Sequence, residues 1–501
     1  MGAMTRRGFL RAAGMCSVGA LLAGFAETAA ARKPNVVFIL ADDLGWRDTA
    51  LYGSDYYDTP NLARLAARGM RFTQAYSASP LCSATRSSIM TGQWPARTGI
   101  TSASCHGDVV RLEAQLARKA APWMPAVPAA DATRLDTDHY TLAEAFRDAG
   151  YRTGHFGKWH LGREPYSPLE HGYGQDVPHW HGPGPAGGYL APWAYPETSG
   201  FKGEPGEHIE DRMAREAARF IREHRDQPFF LSYWCFSVHG PWGGKPELIA
   251  EYAAKADPDS PQRNATYAAM VRSLDDAVGS LLDTLEAEGL TDDTIIVFAS
   301  DNGGNDFVSF EGVPVTSNAP LRAGKGSIYE GGTRTPLIVV WPGHTPAGVR
   351  NDEAVVSSVD YYPTLAEICG LEPSPEQRLD GVSIAPALTG GELDRGAIYC
   401  HYPHNTPATG QYAATYVRQG DWKLVRTYFA GPDGGHQYEL FNLRDDLGET
   451  RNLAADHEDK VRAMDALIDR FLAETGAVVP IANPDRDPAA EPPPRGRRVG
   501  S

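Results

Sequence analysis

Two carboxylates at Asp42-Asp43, an Asp301-Asn302 pair far downstream, and a Cys82-Ser83-Ala84-Thr85-Arg86 segment between them supply the residue types of an anion-processing site. Carboxylate and amide oxygens are hard donors and suit Ca²⁺ or Mg²⁺ rather than zinc. Basic side chains around such a cation would hold a doubly charged oxyanion. The chain has several spare His and Lys residues, among them His239 at the end of an apolar run and Lys325 in the glycine-rich run from Gly324 to Gly332. That run lacks the glycine spacing and the Gly-Lys-Ser/Thr of a nucleotide loop. Taken singly, each residue has a plainer role: an Asp at a strand end caps a turn, a Cys fills a core, an Arg faces solvent. Only their joint occurrence points to a site.

The elements that must position them can be read from apolar runs. Residues 35–40 are continuously apolar and stop at Asp42-Asp43; residues 229–238 run to His239; residues 294–299 stop at Ser300-Asp301-Asn302; residues 336–341 form one more such run. Runs of this length and β-branched content predict strands buried on both faces. Between them, helices are expected over residues 60–68 with Thr59 as N-cap and Pro60 at the first position, over 141–149, and over 266–289 with apolar residues at helical spacing. The alternation predicts an α/β fold, a large and mostly parallel sheet sandwiched by helices, with the site at the carboxyl ends of the strands. If a helix starts at Cys82, Arg86 lies on the same face one turn later. Beyond Gly390-Gly391 the pattern changes to short antiparallel strands within 412–428 and 438–441, then an amphipathic helix over 458–475. The expected organisation is a catalytic domain at 32–391, a small C-terminal subdomain at 392–478 with an antiparallel sheet and a helix, and a disordered tail at 479–501, rich in Pro, Arg and Asp.

Length and composition set the limits. With 501 residues, 42% of them hydrophobic, the chain can bury a large core. A formal charge of −16 with no basic stripe excludes nucleic acid as a partner and confines any positive field to a cleft. Thr5-Arg6-Arg7-Gly8-Phe9-Leu10, a short apolar run over 12–26 and Ala29-Ala30-Ala31 read as a twin-arginine signal peptide over 1–31. This implies bacterial export by the twin-arginine machinery to the periplasm or beyond. The apolar run is too short and too rich in Ala and Gly to span a bilayer, and the mature form offers no membrane span. Six cysteines without close-spaced pairs suggest no zinc motif and leave disulfides unassigned. Asn264-Ala265-Thr266 matches a glycosylation acceptor, which bacterial export makes irrelevant.

The segments Cys82–Gly92 and Gly150–Gly162 resemble the two signatures of the type I sulfatases, and the likeness extends from Pro34 to about Gly476. It implies an alkaline-phosphatase-like fold and a sulfuric ester hydrolase in which Cys82 is oxidised to Cα-formylglycine. The hydrated aldehyde would be the nucleophile, and its second hydroxyl would expel sulfate. Ala84 stands where Pro is usual, a form also found in bacterial sulfatases and suited to a radical-type maturase. Phe156 stands where a smaller residue is usual. By the same resemblance Asp42, Asp43, Asp301, Asn302 and the modified Cys82 bind Ca²⁺, with Mg²⁺ as the alternative, and Arg86 holds the hydrate and the carboxylates. Lys158, His239 and Lys325 clamp sulfate, His160 serves as base, and His239 is the acid to the leaving oxygen; His155 is read as structural. The pattern is similar to bacterial sulfatases of the arylsulfatase A and N-acetylgalactosamine sulfatase type, which implies a sulfated galactan or glycosaminoglycan, or an aryl sulfate, as substrate. His179, His181, His401 and His404 are candidates for sugar contact, with loop packing equally open for each. Two other readings remain: a phosphonate monoester hydrolase or phosphodiesterase of the same superfamily, or a non-catalytic sulfated-glycan binder if Cys82 stays a thiol.

Overall fold

Along Asn35–Ala41 (β1) every residue is buried, and the side chains divide strictly by parity. Val37, Ile39 and Ala41 enter one apolar core; Val36, Phe38 and Leu40 enter the other. Side chains alternate across a strand, so an unbroken apolar run is what a sheet covered on both faces requires. The structure, a computed structural model, describes residues 33–493; the expected signal peptide and the last eight positions lie outside them.

Eight further strands join β1: β2 (Met70–Tyr76), β3 (Arg152–Gly157), β4 (Gln175–Val177), β5 (Phe229–Trp234), β6 (Thr294–Ser300), β7 (Arg334–Val340), β8 (Val349–Asn351) and β9 (Val356–Ser357). Their order is β8-β2-β7-β6-β1-β5-β3-β4, with β9 also on β2. Neighbours are parallel except at β7, which runs antiparallel to β2 and β6 and makes the sheet mixed. Because β7 is reversed, its entry loop lies at the edge where β1, β5 and β6 end. The run predicted to continue to residue 238 leaves the sheet at Trp234 and forms a turn.

Helices α1 (Pro60–Ala66), α2 (Cys82–Thr91), α3 (Leu142–Asp148), α4 (Ile209–Glu223) and α5 (Ala265–Ala287) cover the sheet. Thr141 caps α3 in a reciprocal box with Glu144, and Asn264 caps α5 by accepting from Tyr267 N at 2.9 Å. Thr59 does not cap α1. Its Oγ1 accepts from Ala50 N, and Asp275 of α5 takes the free Asn61 and Leu62 N–H groups at 2.9 and 2.8 Å. A tertiary carboxylate displaces the local cap.

At the C-terminal side, β10 (Ile398–Tyr402), β11 (Ala414–Gln419), β12 (Trp422–Thr427) and β13 (Gln437–Asn442) form an antiparallel sheet, with α6 (Glu458–Thr475) packed on it. The strand β10 has no counterpart in the sequence reading. Leu424, Val425 and Leu440 share one core with Tyr76, Trp94 and Ile328, so this sheet is not separately cored. Among the described residues no helix is long and apolar enough to cross a membrane.

The expectation of a disordered tail from 479 needs correction over its described part. Ile481-Ala482 pair with Ala126-Val127. Asn483 donates from Nδ2 to Ala121 O and Met124 O at 3.0 and 2.9 Å, and Asp487 N donates to Pro122 O at 2.9 Å. A polar, proline-rich composition says nothing of such backbone partners. Truncation after Pro480 should therefore lower stability by about 1–3 kcal/mol, the worth of a few hydrogen bonds. Thermal unfolding of the truncated and full chains checks this, since loss of a free tail would leave the transition unmoved.

Candidate active site

Four parallel strands, β6, β1, β5 and β3, end flush with one another: Ala41 pairs with Ser300, Leu40 with Trp234, and Gly157 with Trp234. Their carboxyl ends bring Asp301-Asn302, Asp42-Asp43, the 235–239 turn and Lys158–His160 to one place. From the next parallel strand, β2, the chain runs through residues 77–81 into α2, whose first residue is Cys82. The loop before β7 carries Lys325 against the Asp301-Asn302 loop. This approach needs glycine: a Cβ on Gly303 would lie 1.7 Å from the Gly331 carbonyl oxygen.

The result is a closed set of charges. Lys158 Nζ donates to both Asp42 oxygens at 2.9 and 2.7 Å, and Lys325 Nζ to Asp43 Oδ2 at 2.7 Å. Arg86 Nε donates to Asp301 Oδ2 at 2.9 Å, and its Nη2 lies 2.8 Å from that oxygen and 3.7 Å from Asp42 Oδ1. Asp43 N donates to Asp301 Oδ1, and Asn302 Nδ2 to Asp43 Oδ1. His239 Nε2 is 3.8 Å from Asp43 Oδ2, and its Nδ1–H donates to Gly240 O at 2.5 Å. Cys82 Sγ stands 3.1 Å from His160 Nδ1. Asp42, Asp43, Cys82, Arg86, Lys158, His160, Asp301 and Asn302 are all buried, and Asp43 and His160 hold left-handed backbone angles of 64° and 56° in φ. Such strain persists only where the surroundings impose it.

These surroundings also shift proton affinities. Burial resists ionisation of Asp43, but Lys325, His239 and Lys158 outweigh it and hold that carboxyl low. His160 and His239 are both depressed well below the ordinary imidazole range, first by burial and then by neighbouring cations. Burial pushes the Cys82 thiol up against the pull of Lys158 and Lys325. A thiol in that state is not an activated nucleophile.

The donors fit a hard divalent cation. Asp42, Cys82 and Asp301 present ligand atoms within 4.8 Å of one another, and Asn302 Oδ1 is buried without a hydrogen-bond partner. An orphaned buried acceptor beside three carboxylates is a group that a cation would satisfy.

The remaining histidines separate. His155 is buried, its Nδ1 2.7 Å from Asp176 and its ring against Trp159, Tyr173 and Trp234. His181 lies within electrostatic reach of His106: burial first, then Lys158 and His181, hold the His106 imidazole low. His401, expected as a sugar contact, is instead built into the C-terminal packing: Nδ1 meets Thr415 Oγ1 at 2.7 Å and Nε2 meets Val478 O at 3.1 Å. His404 is tied to Thr101 Oγ1 at 2.8 Å. His179 is ion-paired with Asp176 and Glu164, its side chain partly exposed. Sequence reading missed His106, whose Nδ1 lies 2.8 Å from His160 Nε2 while the residue remains exposed. No period or motif marks it. Five described cysteines, Cys82 included, are buried and unpaired.

Set beside known proteins, residues 34–371 match the sulfatase family model, and residues 324–474 match the model of the N-sulphoglucosamine sulphohydrolase C-terminal region. A sulfatase of Formosa agariphila is 32% identical over 85% of this chain and 85% of its own. The N-acetylgalactosamine-6-sulfatase of Sus scrofa is 33% identical over 79% of this chain and 74% of its own. Among solved structures, Ps i-CgsB superposes with a TM-score of 0.72 at 28% identity, over 89% of this chain and 94% of its own; it has also been solved with k-i-k-neocarrahexaose. The chain belongs to the sulfatase family. It is a sulfuric ester hydrolase on an alkaline-phosphatase-like fold.

The ion-paired His179 carries a pH prediction. Hydrogen bonding to Asp176 raises its imidazole from the ordinary 6.5 to about 9, with burial opposing and Glu164 adding. A raised folded-state value stabilises fully below 6.5, and the gain is lost as pH rises through 9. His179→Ala should thus lower the melting temperature by roughly 1–2 °C in mild acid, the scale of a partly exposed ion pair, and by less in strong alkali.

Proposed function

We propose that this sulfatase removes sulfate from a sulfated carbohydrate of galactan or glycosaminoglycan type, outside the cytoplasm, after conversion of Cys82 to Cα-formylglycine. The observation that carries this reading is the placement of Cys82. It is the first residue of a wholly buried helix, 3.1 Å from His160, with its sulfur grouped with Asp42 and Asp301 donors. The substrate class is supported by the N-acetylgalactosamine-6-sulfatase relative and by the neocarrahexaose bound to Ps i-CgsB. Export is supported by the twin-arginine pattern at Thr5–Leu10, and a radical-type maturase by Ala84.

Roles follow from the charges. A Ca²⁺ held by Asp42, Asp43, Asp301 and Asn302 would supply Lewis acidity toward sulfate and nucleophile oxygens. A formylglycine hydrate at position 82 would supply an oxygen nucleophile and a second hydroxyl to expel the product. Three carboxylates face Arg86, Lys158 and Lys325, so the protein cluster is formally neutral. A bound dication would leave the cluster positive, which the single charge of a sulfate ester offsets in part and the double charge of released sulfate in full. Lys158 and Lys325 hold sulfate oxygens as point charges. An incoming sulfate offsets the same ammonium charges that depress His239, so that imidazole can carry the proton for the leaving oxygen. His160 accepts a proton at position 82, oriented on its far side by His106.

Intact mass of the exported protein tests the modification: it exchanges a sulfur and two hydrogens of Cys82 for one oxygen. Free sulfate should be released from carrageenan oligosaccharides or N-acetylgalactosamine 6-sulfate. A nitrophenyl phosphonate ester should turn over more slowly than nitrophenyl sulfate. Cys82→Ala should reduce release to background, and His239→Ala should lower kcat by about 10²–10⁴-fold. Chelation should abolish activity and Ca²⁺ restore it. A sample with matured Cys82 that frees sulfate from none of these sugars would overturn the substrate reading.

A further inference from the structure

The turn that carries His239 leaves β5 and is fastened on three sides. Its backbone meets Asp42 twice, from Asp42 N to Ser237 O at 2.9 Å and from Val238 N to Asp42 O at 2.6 Å. Tyr189 Oη donates to Phe236 O at 2.6 Å and to His239 O at 2.8 Å. On the third side stands Glu210, in the first turn of α4 and wholly buried. Its Oε1 accepts from Phe236 N and Ser237 N at 2.9 and 2.7 Å, and its Oε2 accepts from Tyr233 Oη at 2.9 Å.

A carboxylate taken fully out of water is costly unless its oxygens are hydrogen-bonded. Every donor to Glu210 is neutral, and two of them are consecutive amides of one turn. Neutral donors with fixed geometry make this carboxylate a template for the turn. The backbone bonds to Asp42 then pass that geometry on: any shift of residues 236–238 moves both the His239 ring and the Asp42 backbone.

We infer that Glu210, with Tyr189, is a positioning residue for sulfuryl transfer, holding the 236–239 turn so that His239 Nε2 and the Asp42 carboxylate face the same space. This rests on the reading above that His239 protonates the leaving oxygen. A turn out of place would lose proton delivery first, and such a loss weighs on a basic leaving group more than on an acidic one.

The test compares phenyl sulfate, whose leaving group is the more basic, with 4-nitrophenyl sulfate, using the matured full chain. Glu210→Ala orphans two buried amides, Glu210→Gln keeps an acceptor oxygen for them, and Tyr189→Phe removes the opposite fastening. Expected for Glu210→Ala and Tyr189→Phe is a fall in kcat with KM little changed, at least tenfold larger on phenyl sulfate than on 4-nitrophenyl sulfate. Glu210→Gln should recover most of that selective loss. If Glu210→Ala does not fold, the Tyr189→Phe result decides. His239→Ala sets the reference: should it lose both substrates alike, the acid role is wrong and the inference falls with it. Should His239→Ala discriminate while the folded Glu210 and Tyr189 variants lose both substrates equally, or lose nothing, only the positioning role is overturned.

Discussion

The site exists because three buried carboxylates are neutralised at the tips of adjacent strands by two buried cations, Lys158 and Arg86, and a partly buried third, Lys325. A buried ion without a partner costs several kcal/mol, so no member of this set could be buried alone. Lys158 on Asp42, Lys325 on Asp43 and Arg86 on Asp301 come from three different segments, and each fixes a strand end against a loop or helix. The same pairing that makes burial tolerable therefore also assembles the site. It leaves a neutral, water-poor cleft in which a dication and an oxyanion are felt strongly.

Around that cluster the fold supplies rigid delivery. The flush ends of four parallel strands give four short, independent entries, and the reversed β7 gives a fifth. The Lys325 loop is braced from beyond by the C-terminal sheet. Lys423 lies 2.9 Å from both Glu330 and Glu449, Glu449 accepts from Glu330 N, and Tyr76 Oη donates to Glu330 at 2.6 Å. These contacts tie the end of the loop to both sheets, and Tyr76 of β2 packs in the apolar cluster of the C-terminal sheet. The C-terminal region is thus part of the catalytic scaffold.

Much of this was legible beforehand, for local reasons. Apolar runs ending in Asp or His announced β1, β5 and β6, because burial on both faces leaves a continuous signature. The amphipathic face of α6 predicted its bounds at residues 458 and 475. The strands β2, β3, β4, β8, β9 and β10 went unseen: β4, β8 and β9 are only two or three residues long, β2 mixes Arg, Thr and Gln among its apolar residues, and β10 holds a histidine whose burial depends on Thr415 and Val478. The N-cap of α1 was misassigned because its partner, Asp275, lies more than two hundred residues away.

Histidine is where local reading ended. His160 and His239, expected as base and acid, meet the charge cluster, whereas His401 and His404, expected as sugar contacts with packing equally open, are tied to Thr415, Val478 and Thr101. His106, beside His160, carried no signal at all, and neither did Glu210. By itself the sequence determined the chemistry on offer, which residues could ligate, clamp or be oxidised, and the strands that would carry most of them. Tertiary structure alone decided which side chains share the cleft and which are spent on packing. Those choices depend on hydrogen bonds and burial between segments hundreds of residues apart, and no local period or propensity encodes them.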